Sequence, residues 1–179
     1  MKSMPSSPFV IQWAPRAAAL LRPGPRTLDL LALDLAMGHG RHVEPLVRAG
    51  FRVFGVDRSF EAVRDAAAQP AAASGRLQAL CADVTTWPLP ERWFDLVLVT
   101  RFLERELFPA IRNAVVPGGI VMYETFTRDQ LTLGRGPTSP HHLLEPGELV
   151  QLFDGFEILH RAETREPDAL ASVVARRPR

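Results

Sequence analysis

A single cysteine, a single lysine and a single tyrosine stand among the 179 residues of this chain. Each scarcity removes a class of chemistry. With only Cys81 there is neither an internal disulfide nor a cysteine-rich metal site, which suits a reducing compartment; inside "LQALCADV" the thiol is expected to pack. With only Lys2 there is no lysine after any glycine-rich turn, so the triphosphate-binding pattern G-x-x-x-x-G-K-[ST] is absent. Charge of one sign is missing too. Twenty-one Lys plus Arg against 20 Asp plus Glu leave a formal charge of +1, too little to draw a nucleic acid or an anionic membrane. The arginines of the tail, Arg176, Arg177 and Arg179, read as a solvated end. The longest apolar candidate for a membrane or signal segment, "AAALL" at Ala17 to Leu21, is far too short and lies between Arg16 and Arg22. A soluble, cytoplasmic protein is the expectation. No repeat of 20 to 50 residues is present.

What remains is a composition for burial. Hydrophobic residues make up 46% and charged ones 23%, and the length suits one domain over residues 1–179. "FVIQWAPRAAALLR" predicts an N-terminal helix with a break near Pro15, stopped by Pro23, Gly24 and Pro25, so that residues 1–25 form a helical cover. Apolar runs bounded by turn residues follow at Leu28 to Ala36, Arg52 to Val56, Leu77 to Ala82, Phe94 to Val99 and Gly119 to Thr125. Each reads as a strand buried on both faces. Helical segments at Arg41 to Ala49, Ser59 to Gln69 and Leu103 to Val115 alternate with them, Ser59 being a natural N-cap and Pro70 interrupting the helix end at Ala66 to Ala73. After the irregular stretch 128–146 come a short helix around Glu148 to Phe153 and two strands, "FEILHRAE" and "DALASVVARR", joined by a polar turn at Arg165 to Asp168. The fold class is therefore α/β, one domain with a seven-stranded, mostly parallel sheet, an antiparallel C-terminal hairpin and helices on both faces.

The chemistry concentrates at strand ends. "LDLLALDLAMGHGR" runs from a strand into two glycines, Gly38 and Gly40, where ligands collect beyond the carboxyl ends of a parallel sheet and where helix N–H groups are free. Asp34 shares parity with Ala36 and Gly38 and faces the ligand side, whereas Asp29 belongs to the solvent end of the strand. "FRVFGVD" ends in Asp57, placed as an acceptor for ribose hydroxyls. "LQALCADV" ends in Asp83, and "FDLVLVTR" in Thr100 and Arg101. Acids after three successive strands point to an adenosine site. Val43 stands where the nicotinamide fingerprint G-x-G-x-x-G/A needs a small residue, and no second substrate domain is present, so an NAD-linked oxidoreductase is disfavoured.

In this order "LDLAMGHGRH", "VFGVD", "CADVTTWP", "FDLVLVT" and "PGGIVMYETFT" resemble the class I S-adenosylmethionine-dependent methyltransferases, over nearly the whole chain. Through "YETFT" and "HHLLEPGEL" the likeness is greatest to the small bacterial tellurite-resistance type. The resemblance implies a Rossmann-like domain that uses S-adenosylmethionine and leaves S-adenosylhomocysteine. It implies that Asp34 orients the cofactor's amino group, that Ala36, Gly38 and Gly40 face its methionine and ribose, and that Asp57 takes both ribose hydroxyls. Asp83 takes the adenine amino group and the Val84 N–H a ring nitrogen, with Arg58 and Thr100 also in contact. Arg41 and His42 are either solvated first-turn residues or cofactor contacts. The family pattern D-x-G-x-G-x-G is broken at Ala36, whose methyl narrows the room for methionine, and Met37 replaces a common cysteine. That departure keeps open a noncatalytic module that binds an adenosine ligand.

At the reacting end the candidates are Thr100, Arg101, Phe102, Tyr123 and Glu124, with Arg101, Glu124 and His141 as the catalytic set. Phe102 and Tyr123 suit a core as well as a surface for the sulfonium, and Glu124 needs an arginine or a polar cleft. His141 and His142, adjacent in an extended segment, point opposite ways, so one at most faces the site. No metal site is expected. Residues 128–146, above all Gly134 to Leu144, form the loop over the methyl end. No chain is left for a substrate domain, so the acceptor is a small molecule such as a thiol or a metalloid oxyanion, with Arg101 or Arg135 to hold an anion.

Overall fold

The computed structural model describes residues 5–21 and 29–179. Expectations for residues 1–4 and 22–28, which include both ends of the helical cover, its Pro-Gly-Pro stop and the start of the first strand, lie outside the described residues.

The first helix, α1 (Pro8–Leu20), begins on Ser7, whose hydroxyl accepts from the Phe9 N–H at 3.2 Å, while Pro8 occupies the first turn where its missing N–H is not needed. Contrary to the sequence reading, Pro15 does not break it. Phe9, Val10, Ala14 and Ala17 are all buried on one face, so both halves of the helix are held by packing that outweighs one lost backbone bond.

Five parallel strands follow: β1 (Leu30–Leu35), β2 (Phe51–Asp57), β3 (Leu77–Cys81), β4 (Phe94–Thr100) and β5 (Val115–Phe126). The antiparallel pair β6 (Glu157–Thr164) and β7 (Leu170–Arg176) completes a sheet of order β3-β2-β1-β4-β5-β7-β6. β1 pairs with both β2 and β4, so the strand order reverses there and a crevice opens beyond their carboxyl ends. The connecting helices are α2 (Val43–Arg48), α3 (Phe60–Ala67), α4 (Pro70–Ala73), α5 (Phe108–Ala114) and α6 (Glu148–Gln151).

Alternate strand residues serve two cores. Leu33, Leu35, Val97, Val99 and Tyr123 pack with Phe108 and Ile111 of α5, and Ala32, Leu96, Leu98, Ile120 and Met122 pack under α1 and α2. By the two-residue period of a strand, Asp34, Thr100 and Glu124 continue the second row at its carboxyl end.

Five further expectations are corrected. β3 is an edge strand with Gln78, Leu80 and Cys81 exposed, because nothing pairs beyond it. Cys81 is therefore not packed; its Sγ lies 3.6 Å from the Arg58 carbonyl. Pro70 opens α4 instead of ending α3, the position where proline fits best, and the segment before α5 is a 3-10 turn, Arg105–Leu107. Arg177 is tied down, its Nη1 donating to the carbonyls of Arg112, Asn113 and Val115 at 3.1, 3.1 and 2.7 Å. The capping role of Ser59 holds, its hydroxyl accepting from Ala62 N at 3.3 Å.

Candidate functional site

A cavity of about 420 Å³ occupies the crevice at the carboxyl ends of the strands, within the range of about 300–1,000 Å³ usual for small-molecule sites. Its first wall is Ala36 after β1, Asp57 at the end of β2 with Arg58 after it, and Asp83, Val84 and Thr85 after β3. The second wall is Arg101 to Glu104 after β4, facing Phe126, Pro137 and His142 from the chain that leaves β5. Of the residues singled out in the sequence, Ala36, Asp57, Arg58, Asp83, Val84, Arg101, Phe102 and His142 meet here.

Asp57 is fixed before any ligand arrives. Its Oδ2 accepts from the Gly38 N–H at 2.8 Å and its Oδ1 from the Ser59 N–H at 2.9 Å, which sets the carboxylate across the loop and leaves lone pairs for further donors. Gly38 has φ +57°, and a Cβ there would touch nothing within 4 Å, so the loop presents bare backbone to open space. Gly40 is required for the opposite reason: a Cβ would lie 2.8 Å from Gln69 Nε2, the group that staples the loop by donating to the His39 and Gly40 carbonyls. Ala36 holds φ +57°, a left-handed conformation that the family's glycine adopts without strain. Asp83 Oδ1 accepts from Thr85 N at 2.9 Å and Thr85 Oγ1 at 2.7 Å, and these bonds hold its pKa below the ordinary value.

Asp34 does not line the cavity. It is fully buried near the end of β1, with neither carboxylate oxygen hydrogen-bonded among the described residues. Desolvation raises its pKa to about 7, against the attraction of Arg41 and with some help from Asp57. A buried carboxylate without a donor is a costly thing to keep, and an ammonium group is the partner that would relieve it.

Around Asp34 lies a polar cluster that the sequence left undecided or missed. His42 is buried, not solvated; its Nε2 is 3.1 Å from Thr100 Oγ1, and desolvation, then Arg41 and Arg101, push its pKa down to about 3, so the ring is neutral. Arg41 is half-buried, reaches Thr100 Oγ1 at 3.4 Å, and has its pKa lowered by burial and by Arg101. Thr100 thus faces this cluster and not the cavity. Glu124 is buried beside it and does not line the cavity either. Its Oε1 accepts from Ser7 Oγ at 2.6 Å, and desolvation raises its pKa while Ser7, Arg41 and Arg101 oppose the rise. Ser6 Oγ donates to the Arg41 carbonyl at 2.5 Å, so two hydroxyls dock the start of α1 on the site. No motif marks Ser6 or Ser7; only their place before an apolar helix hints at a cap.

The second wall also differs in detail. Tyr123 is a core residue that donates through its hydroxyl to the Phe102 carbonyl at 2.8 Å, whereas Phe102 itself lines the cavity. His142 lines the cavity and His141 does not. The two sit in a 3-10 turn, Pro140–His142, where neighbours diverge by about 120° and not by the half-turn of an extended chain. Arg101 has φ +53°, donates from Nη2 to Asp168 at 3.0 Å, and lies across the Phe126 ring at 5.3 Å. Arg135 turns to the same Asp168 at 3.3 Å and to the Pro167 carbonyl and is absent from the cavity wall. The loop over the site is partly anchored: Leu143 and Leu144 are buried, and Leu144 N donates to Phe126 O at 2.9 Å.

Strand-end acids around a crevice at the reversal of a seven-stranded α/β sheet define a nucleotide-cofactor-binding enzyme fold. Residues 32–119 match the family model described as a methyltransferase domain. The chain superposes on a S-adenosylmethionine-dependent methyltransferase from Mesorhizobium loti with a TM-score of 0.69 at 22% identity, covering 93% of this chain and 98% of that one. It is similar also to the plantazolicin methyltransferase BpumL in complex with SAH, with a TM-score of 0.71 at 14% identity over 95% and 82% of the two chains. TehB from Haemophilus influenzae gives a TM-score of 0.69 at 19% identity, over 92% of this chain and 61% of that one. No curated protein matches the sequence significantly. The match to a methyltransferase domain thus lies in residues 32–119, and the chain shares the fold of S-adenosylmethionine-dependent methyltransferases.

Proposed function

We propose that this chain transfers a methyl group from S-adenosylmethionine to a small acceptor that carries negative charge or a thiolate. The observation that carries the proposal is the pairing of a preset Asp57, bound to Gly38 N at 2.8 Å, with an orphaned, fully buried Asp34 behind a cavity of about 420 Å³. These groups complement the two ends of an adenosyl amino acid. Asp57 would take the ribose hydroxyls, Asp83 and the Val84 N–H the adenine edge, and Asp34 the ammonium. Gly38 gives the backbone room, while Arg58 covers the adenosine end.

When bound, S-adenosylmethionine supplies a methyl group on a cationic sulfur, and its transfer breaks the carbon–sulfur bond with the electron pair staying on sulfur. The protein's own contribution is placement of the acceptor in line, which needs no covalent help. Arg101, pinned by Asp168 and by the Phe126 ring, offers a fixed cation at the second wall for an anionic acceptor. Glu124 and His141 lie outside the cavity wall and have no direct part in this scheme.

The cavity must hold cofactor and acceptor together, which favours a small acceptor, and the near-zero net charge disfavours a nucleic acid. The sequence likeness to the tellurite-resistance type fits a metalloid oxyanion, and one cysteine fits a cytoplasmic setting. Among the described residues no helix is long and apolar enough to cross a membrane. Within the loop, residues 136–139 are the part left to close over the acceptor, since Arg135 is tied to Asp168 and Leu143 and Leu144 are anchored. The test is calorimetry with S-adenosylmethionine, S-adenosylhomocysteine and NAD, then methyl-transfer assays with thiophenol, selenite and tellurite. Binding of the adenosyl compounds with turnover of one acceptor is expected. Binding without any turnover, also against peptides and nucleic acids, would favour a noncatalytic module, and preference for NAD would end the proposal.

A further inference from the structure

We infer that Arg105 is a positioning residue for the acceptor: it fastens residues 141–148 to the end of β4 so that the His142 imidazole forms part of the cavity wall. This rests on the methyltransferase reading of the cavity. Arg105 lines no part of that cavity, yet it follows directly on Arg101 to Glu104, which do.

Every nitrogen of its guanidinium is engaged. Nε donates to Glu148 Oε1 at 2.6 Å and Nη2 to Glu148 Oε2 at 2.9 Å, a two-pronged ion pair. Nη1 donates to the His141 carbonyl and Nη2 to the Leu143 carbonyl, both at 3.0 Å. Those two carbonyls belong to the residues on either side of His142. Glu148 Oε2 accepts in addition from the Glu145 N–H at 2.8 Å, so the carboxylate ties the far end of the same segment. The pairing raises the pKa of Arg105 and lowers that of Glu148, as expected of partners that favour each other's charged form.

The bracket matters because the His142 side chain has no hydrogen-bond partner of its own among the described residues; its backbone N–H donates to Ser139 O at 3.0 Å within the 3-10 turn. The ring's place is thus set by the main chain, and the main chain by Arg105. Downstream, Leu144 is held independently by its bonds with Phe126 and Arg128 and the Leu143 side chain is buried, so loss of Arg105 loosens the main chain of residues 141–143 without unseating the loop's base. An imidazole with both nitrogens unclaimed at the acceptor wall suits an acceptor with a hydrogen-bonding group beside the atom that is methylated. A lysine at 105 cannot reproduce the bracket, since a single ammonium cannot hold a carboxylate by two prongs and reach two carbonyls at once.

The experiment compares the parent protein with Arg105→Gln, Arg105→Lys, Glu148→Gln, His142→Ala and the double variant Arg105→Gln/His142→Ala. Expected for Arg105→Gln are S-adenosylhomocysteine affinity within about twofold of the parent and amide exchange at residues 141–143 faster by about tenfold or more. A shift of the His142 imidazole resonances, with those of His39 and His160 unmoved, is expected as well. With thiophenol or selenite, whichever the parent methylates, KM for the acceptor should rise about tenfold with kcat within about threefold, and Arg105→Gln should add little once His142 is alanine. Arg105→Lys should resemble Arg105→Gln, and Glu148→Gln, which keeps the guanidinium, should show the same signs more weakly. Unchanged exchange and unchanged His142 resonances would overturn the inference, as would a KM effect that persists undiminished without His142. If neither acceptor is turned over, the exchange and resonance results decide it alone. Failure of the parent protein to bind S-adenosylhomocysteine would instead strike the methyltransferase reading and leave the bracket to be judged by exchange.

Discussion

Ser7 Oγ donates to Glu124 Oε1 across 2.6 Å, joining the cap of the first helix to the carboxyl end of the fifth strand. One hydroxyl serves two acceptor and donor duties, since it also accepts from Phe9 N. Ser7→Ala removes an N-cap, worth about 1 kcal/mol, and leaves a buried carboxylate oxygen short of a donor, worth about 1–3 kcal/mol more. Urea denaturation should register a loss of about 2–4 kcal/mol in total. A loss no larger than the cap alone would mean that Glu124 finds another donor.

Asp34 predicts a pH dependence whose sign is unusual for an aspartate. Its pKa is about 7 in the fold against an ordinary 3.8, so between those values the folded chain holds the proton more tightly, and this group removes stability as pH rises from about 4 to 7. His42 acts oppositely: its value of about 3 against an ordinary 6.5 removes stability as pH falls through that window. The two slopes offset each other in the parent protein. In Asp34→Asn the first is gone, so the stability gained over the parent should grow from near zero at pH 4 to a plateau on the order of 4 kcal/mol above pH 7. A gain independent of pH would show that Asp34 is charged throughout. For S-adenosylhomocysteine the charged carboxylate is the useful form, so affinity should climb with pH up to about 7 in the parent and stay flat in the variant.

Asp57→Ala should weaken S-adenosylhomocysteine binding by about one to two orders of magnitude, the cost of hydrogen bonds to a charged acceptor. The same change strips the Gly38 and Ser59 N–H groups of their acceptor. Asp57→Asn keeps one acceptor oxygen and should fall between. Calorimetry that finds the alanine variant as tight as the parent would remove the ribose assignment.

Ala36→Gly should be tolerated or mildly stabilising. At φ +57° alanine is strained by about 1 kcal/mol relative to glycine, partly offset by the greater freedom glycine has when unfolded. Because Ala36 lines the cavity, removal of its methyl should also raise affinity for S-adenosylhomocysteine. Weaker binding in the glycine variant would indicate that the methyl packs on the ligand.

Much of this was legible in the residues. The runs ending in Asp57 and Asp83 are apolar, short and bounded by turns, and a parallel sheet leaves such strands one arrangement of their ends. The glycine pair fixed the turn. What escaped were features that depend on neighbours far along the chain. Arg41 and His42 look like solvated first-turn residues because charge ordinarily seeks water, yet Thr100 at the end of β4 takes both side chains and Ser6, just before α1, docks on the Arg41 carbonyl. β3 has the apolar run of an inner strand, yet edge position is a property of the sheet order, so Leu80 and Cys81 face outward. His141 and His142 are indistinguishable by type; the bonds to Arg105 select between them, and no local pattern announces a partner 36 or more positions away.

The sheet order β5-β7-β6 sets the sequence of events at the ribosome. β5 ends at Phe126, but the strand that covers its far edge, β7, begins only at Leu170, and β6, made first, takes the outer place. At roughly 5–20 residues per second the nascent chain spends several seconds with the longest strand of its sheet, mostly buried in the finished fold, open on one side. Such an edge is a template for pairing with other chains. Slow translation between these two strands therefore lengthens the interval in which the emerging protein needs a chaperone.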